Sequence, residues 1–175
     1  KFLREMEFNR LLSSAISAYG EPNLSSVKNE NNPKINFKEI SKKKYYLITK
    51  PNEIDKWITE AEKTGEVAVD TETNSLDPHQ AELIGVSLST SIGKACYIPV
   101  GHNSKKCIKK SLVLEKLKPL LEDPSIKKIG QNIKFDYIVF YKHGITLSTM
   151  EDTMLMSYVL DAGKNRHNMD TLSEI

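Results

Sequence analysis

The stretch Val67-Ala68-Val69-Asp70-Thr71-Glu72 ends in two acids separated by one residue. Its small and β-branched apolar start is the composition of a buried strand. Strand side chains alternate between faces, so Asp70 and Glu72 emerge on one side, roughly 7 Å apart along the backbone. Left alone, two such carboxylates repel and raise each other's pKa. A hard divalent cation such as magnesium between them turns that repulsion into binding. Asn74-Ser75-Leu76-Asp77-Pro78 then breaks the strand with turn formers. A lone Asp-x-Glu also suits a solvated strand end, so metal chemistry needs a further oxygen donor at the same place.

Asn132-Ile133-Lys134-Phe135-Asp136 offers that donor. Asn132 and Asp136 are four residues apart on an expected helix and so share a face. That face is offset from the apolar stripe of Ile133, Tyr137, Phe140 and Tyr141. The helix follows directly on a short strand at Ile126–Ile129, which puts its first turns near the gathered strand ends. Asp136 is therefore expected to converge on Asp70 and Glu72.

The elements that must position these acids are legible around them. Tyr45–Thr49 reads as a short strand, and Ile54, Trp57, Ile58 and Ala61 mark an amphipathic helix with Asn52 as its N-cap and Gly65 as its end. Leu83–Ser89 and Lys94–Val100 read as strands joined by a tight turn, hence antiparallel neighbours. Val113, Leu117, Leu120 and Leu121 lie on one helix face. That helix delivers the Ile126–Ile129 strand by a crossover, as a parallel strand requires. Ile145–Leu147 reads as a last short strand and Asp152–Leu160 as a helix. The pattern predicts an α/β fold, a mixed five-stranded sheet with helices on its faces. Upstream, Leu3–Tyr19 carries one helical stripe, and residues 21–43 are polar, Pro-containing and linker-like.

Composition narrows the function classes. Of 175 residues, 39% are hydrophobic and 27% charged, a soluble globular balance with a real core. A net charge of +2 is too weak to argue for nucleic acid on its own. Lysines cluster at Lys42–Lys44, Lys105-Lys106, Lys109-Lys110 and Lys127-Lys128, pairs that can line a phosphate track or serve as solvated faces. Cys96 and Cys107 have neither metal-ligand nor disulfide spacing, which points to a reducing, cytoplasmic setting. No apolar run approaches a membrane span and no signal peptide is visible, so no membrane partner is expected. His79, His102, His143 and His167 do not cluster and read as structural or surface residues. No glycine-rich phosphate loop is present.

In tandem, the motifs carry a resemblance. Val69-Asp70-Thr71-Glu72-Thr73-Asn74-Ser75-Leu76-Asp77 resembles the first motif of the 3′–5′ exonucleases that use four carboxylates. Leu83-Ile84-Gly85-Val86-Ser87, Tyr97-Ile98-Pro99-Val100-Gly101-His102, Ile129–Asp136, Asp152-Thr153-Met154-Leu155 and Arg166–Asp170 are similar to the proofreading domain of bacterial family A DNA polymerases. The likeness runs from about Tyr45 to the end of the chain. It implies a ribonuclease-H-like (DnaQ-like) fold and hydrolysis of the 3′-terminal DNA phosphodiester by two divalent cations, Mg2+ or Mn2+, about 4 Å apart. By resemblance, Asp70 bridges both ions, Glu72 holds the one that activates water, and Asp136 supports the second. Leu76 would wedge against the terminal base, and Thr71, Asn132 and Phe135 would line the pocket for a single-stranded or frayed 3′ end.

The same resemblance divides the chain into a helical tail of a preceding 5′-nuclease domain (1–20), a linker (21–43) and the exonuclease domain (44–175). That domain is expected to be truncated at its C-terminus. The family's third motif, a tyrosine with an aspartate four residues on, has no counterpart in this sequence: Tyr158 is followed by Ala162, and Tyr137 by Tyr141. The first residue is Lys1, and the last residues read as a helix cut short, so an excerpt of a longer protein is expected, monomeric, with a polymerase domain in cis. With three acids of four, weak hydrolysis is expected from the excerpt itself. Two other functions remain open: a catalytically silent exonuclease-like scaffold, and an RNA-trimming 3′ exonuclease of the same superfamily.

Overall fold

The computed structural model describes residues 2–20, 44–103 and 106–174. The chain divides into two units, Lys1–Lys38 and Glu39–Ile175. In the first, helices α1 (Phe2–Glu5) and α2 (Asn9–Tyr19) replace the single expected helix. The break falls at Glu7, whose φ of 56° is left-handed and cannot continue a helix. The expected linker lies outside the described residues.

The second unit is built on one mixed sheet of β1 (Lys44–Leu47), β2 (Glu66–Thr73), β3 (Leu83–Ser91), β4 (Lys94–Pro99), β5 (Lys127–Gly130) and β6 (Met150–Asp152). It is joined by helices α3 (Pro51–Thr64), α4 (Lys110–Glu122), α5 (Lys134–Tyr141), α6 (Thr153–Asp161) and α7 (Met169–Glu174). Strand order is β1-β4-β3-β2-β5-β6. The β2–β3 and β3–β4 pairs are antiparallel, as their short connections require, while β5 joins β2 in parallel after the α4 crossover.

Six strands form rather than five, and the last is not the expected one. Ile145 and Leu147 are buried without joining the sheet, and Ile145 N instead donates to Phe140 O at the end of α5. The edge strand is the polar Met150-Glu151-Asp152, paired in parallel with β5. The start of α3 is also corrected. Pro51 occupies its first turn, and Glu53 reaches back to accept from Thr49 N and Lys50 N, a task assigned above to Asn52.

Alternation along β2 sets the layers. Val67, Val69 and Thr71 are buried, while Ala68, Asp70 and Glu72 are exposed. Cross-strand register extends the division. Val86, Leu88, Cys96 and Ile98 continue the buried face with Ile54, Trp57, Leu117 and Leu121 of the helices. Gly85, Ser87, Ser89, Ala95 and Tyr97 continue the open face. No helix among the described residues is long and apolar enough to cross a membrane.

Candidate active site

Asp70 and Glu72 emerge together on the open face, as the Asp-x-Glu spacing requires. A register shift between Glu72 and Thr73 ends the regular β2–β3 ladder at this point. Such irregularities re-aim side chains where pairing stops. Neither acid has an ion-pair or hydrogen-bonding partner among the described residues. The Asp70 carboxyl is raised above its ordinary pKa, first by partial desolvation and then by the Glu72 charge.

Asp136 reaches the same strand from the other side. The β5 pairing with β2 ends at Ala68, so the backbone beyond has no strand partner on that flank. Asp136 takes that place: its Oδ1 accepts from Thr71 N at 2.8 Å and from Thr71 Oγ1 at 2.6 Å. Thr71 lies between Asp70 and Glu72, so all three acids are tied to three consecutive residues of β2. Asp136 is only 3% exposed. Burial pushes its pKa up to about 6 against the opposing Thr71 bonds, and the Asp70 charge adds to the rise. Among the described residues, however, no three acids, cysteines or histidines are gathered closely enough to form a closed metal site.

The other expected site residues separate into two groups. Leu76 is 97% exposed at the tip of the loop after β2. Asn132 does not share a helix face with Asp136, because α5 begins only at Lys134 and Asn132 has a left-handed φ of 57°. Thr71 is buried and turned toward Asp136. Phe135 is partly buried against the core.

One positioning residue went unrecognised in the sequence. Asp152 Oδ1 accepts from Asn132 N (3.0 Å) and Met154 N (2.9 Å), and its Oδ2 accepts from Ile133 N (3.1 Å). One carboxylate thus caps α6 and fastens the turn into α5, the helix that carries Asp136. An Asp before an apolar helical run is a legible N-cap. Its bond to a turn twenty residues earlier has no local signal.

Beside Asp70 the open face forms a concavity of about 260 Å3, with Ala68, Ser87, Ser89, Ala95 and Gln131 in its lining. A larger groove, about 770 Å3, runs between α5 and α6, but its lining is dominated by Ile133, Tyr137, Leu155, Val159 and similar apolar residues. The paired acids of the motif are absent from it.

A family model described as 3′-5′ exonuclease matches residues 45–174. The chain belongs to the 3′-5′ exonuclease family, in the form carried by DNA polymerase I. It is 43% identical to DNA polymerase I of Rhizobium leguminosarum over 69% of this chain and 14% of that protein. It is 36% identical to DNA polymerase I of Borreliella burgdorferi over 80% of this chain and 15% of that protein. The chain therefore spans about a seventh of the length of these relatives. Among solved structures, Brucella melitensis NrnC with bound Mg2+ is 28% identical with a TM-score of 0.53, over 77% of this chain and 61% of that one. Escherichia coli RNase D shares the fold at 21% identity and a TM-score of 0.53, over 69% of this chain and 30% of that one. The sheet is thus the ribonuclease-H-like, DnaQ-like one.

Asp70 and Glu72 have the donor chemistry that suits a hard divalent cation. Asp70 and Glu72 are oxygen donors on one face, they repel each other, and no cation among the described residues pairs with them. Asp136 is held one residue away with its second oxygen outside the Thr71 bonds.

Proposed function

We propose that this chain is the proofreading 3′–5′ exonuclease region of a DNA polymerase, removing the 3′-terminal nucleotide of a single-stranded or frayed DNA end. The supporting observation is the Asp136 carboxylate bonded to Thr71, which lies between two acids that have no ion-pair partner among the described residues. Asp70 and Glu72 would hold one divalent cation between them, and Asp70 with Asp136 a second. When bound, Mg2+ or Mn2+ ions supply an activated water and stabilise the departing 3′ oxygen. Asp152 keeps Asp136 in reach by holding the entry to α5. Leu76 and Asn132 contact the terminal nucleotide, while Thr71 holds Asp136 and Phe135 packs on the core. A hydrophobic wedge is sequence-tolerant, as removal of any mispaired end demands. The polymerase domain would act in cis on the same DNA, within a monomeric cytoplasmic protein.

With three acids contributed, residues 1–175 alone hydrolyse slowly, and a longer polypeptide supplying a further Tyr and Asp is faster. End-labelled single-stranded DNA incubated with each polypeptide in Mg2+ and in EDTA tests both statements. Stepwise loss of 3′ nucleotides in Mg2+ only is expected, faster for the longer polypeptide. Equal rates would remove the claim of impairment, and no hydrolysis by either would remove the nuclease reading. A second reading, trimming of short RNA, draws on the likeness to Brucella melitensis NrnC, one structure of which is bound to pGG, at 29% identity. Single-stranded RNA of the same length, run in parallel, separates the two.

A further inference from the structure

Across the open face from the acids stands a tyrosine to which the motifs assign no role. Tyr97 lies opposite Ser87, and Ser87 lies opposite Asp70, so Tyr97 shares their face. Its ring leans diagonally over Gly85: a Cβ built at Gly85 would sit 2.0 Å from Tyr97 Oη. Gly85 is the residue paired with Glu72. Facing residues of an antiparallel pair have Cα atoms about 4.5–5.5 Å apart. The glycine therefore clears a path along which the phenol reaches the neighbourhood of Glu72. The electrostatics agree: Tyr97 is raised above its ordinary pKa, first by desolvation and next by the Glu72 charge.

The hydroxyl is not left to rotate. Tyr97 Oη lies 2.6 Å from His102 Nε2, and the two rings meet edge to face with centroids 5.8 Å apart. The His102 backbone oxygen in turn accepts from Cys107 Sγ at 3.2 Å. With the proton on Nε2, the imidazole donates to the phenol oxygen and frees the phenol O–H for a second acceptor. Glu72, the residue paired with Gly85, would be that acceptor. Carboxylates that ligate metals are commonly held by such an outer hydrogen bond, whose loss costs about 10–100-fold in affinity or activity.

We propose that Tyr97, oriented by His102 and admitted by Gly85, is a positioning residue for Glu72, fixing the carboxylate in the orientation that holds a divalent cation. The inference rests on the proposed role of Glu72 as a metal ligand. It gives His102 a task in the site, where the sequence suggested a structural or surface histidine.

Mn2+ binding measured by electron paramagnetic resonance, on the full protein that carries this chain, tests it. The Asp70→Ala variant subtracts ions bound elsewhere. Tyr97→Phe is expected to weaken the Asp70-dependent site about tenfold while thermal midpoint and KM for the DNA end stay unchanged. Gly85→Ala, which pushes the ring aside without removing its hydroxyl, weakens it in the same direction. His102→Ala does so too, and His102→Gln, which keeps a side-chain donor, restores part of the loss. In a double-mutant cycle, Tyr97→Phe has no further effect once Glu72 is Gln. Wild-type affinity in Tyr97→Phe, or an equal loss in the Glu72→Gln background, overturns the proposal. A tenfold loss in a protein that degrades neither DNA nor RNA upholds it and overturns the nuclease reading instead.

Discussion

The closed and open faces of the sheet differ in what they bury. Toward the helices, β2, β3 and β4 present Val67, Val69, Leu88, Val86 and Ile98, packed against Ile54, Leu117 and Leu121. Toward the other side the same strands present Ala68, Asp70, Glu72, Gly85, Ser87, Ser89 and Tyr97. The closed face supplies the hydrophobic stabilisation, which scales with the apolar area removed from water. Among the described residues the open face holds no comparable apolar cluster and therefore tolerates two acids that repel. Strand parity keeps the two tasks apart, and a slip of one residue would exchange them.

Substitutions on the two faces should separate activity from stability. Asp70→Ala removes a ligand proposed to serve both ions. Losing several kcal/mol of charge stabilisation corresponds to a rate loss of at least ~10³-fold. The thermal midpoint should hold or rise, because a repulsion is removed. Leu117→Ala, at a position with no exposed surface, should cost about 3 kcal/mol by opening a cavity. Its rate per folded molecule should be unchanged. Denaturant melts and single-turnover hydrolysis on both variants check the contrast, which fails if Asp70→Ala unfolds the protein.

Asp136 sits at the junction of the two faces and should show both behaviours. Its folded pKa of about 6 lies above the unfolded value of about 3.9. The folded state therefore binds the proton more tightly, and this stabilisation is complete below the unfolded pKa. It is lost as pH rises through the folded pKa, by an amount on the order of 3 kcal/mol between pH 4 and 7. Asp136→Asn keeps an acceptor for Thr71 and has no charge to bury. It should match the parent protein near pH 4, exceed it in stability near pH 7.5 and lose hydrolysis. Mg2+ should stabilise the parent more at pH 7.5 than at pH 5, and at pH 7.5 should stabilise the variant, which keeps Asp70 and Glu72, less than the parent. Thermal melts across that range, with and without Mg2+, decide it.

The parity of β2 explains how much was legible beforehand. Asp70 and Glu72 could be placed on one face because strand alternation is a local rule, and the antiparallel order of β2, β3 and β4 followed from short turns. Asp136 was harder. On α5 it shares the buried face with Val139 and Phe140, where hydrophobic periodicity expects an apolar residue, while Tyr141 of the expected stripe is exposed. The left-handed Asn132 and the bonds of Asp152 to Asn132 N and Ile133 N arise from contacts between segments distant in sequence. The polar edge strand β6 was missed because parallel pairing with β5, not composition, makes it a strand.

Lys128 fits neither expectation for its pair, a phosphate track or a solvated face. Its position opposite Val67 turns it to the closed face, where it has no exposed surface. Its Nζ donates to Ile126 O at 2.6 Å and Asp123 O at 2.7 Å, collecting carbonyls at the exit of α4. Burial lowers its pKa, and the Asp123 charge partly opposes that. Lys128→Met preserves the stem and strands those carbonyls, at a cost of about 2 kcal/mol. Because the change lies beneath the sheet, hydrolysis per folded molecule should be unaffected, which a melt and a rate on one sample check.

The smallest effect on stability is expected at Leu76, on the open side. A leucine that is 97% exposed adds nothing to the core, yet its loop is held firmly. Glu82 N donates to Asn74 Oδ1 (2.8 Å), Asp77 N to Ser75 Oγ (3.1 Å), and His79 N to Asp77 Oδ1 (3.0 Å). Those bonds are made by the residues around Leu76, so its replacement leaves them intact. Leu76→Ala should shift stability by less than about 0.5 kcal/mol. If the side chain packs on a terminal base, the lost contact is worth about 1.4 kcal/mol, a tenfold rise in KM for a single-stranded end. The rate at saturating DNA should change little, because no charge or ligand is removed. A KM equal to that of the parent protein would show that the DNA end never touches this loop, and would confine recognition to the acids and the turn at Asn132.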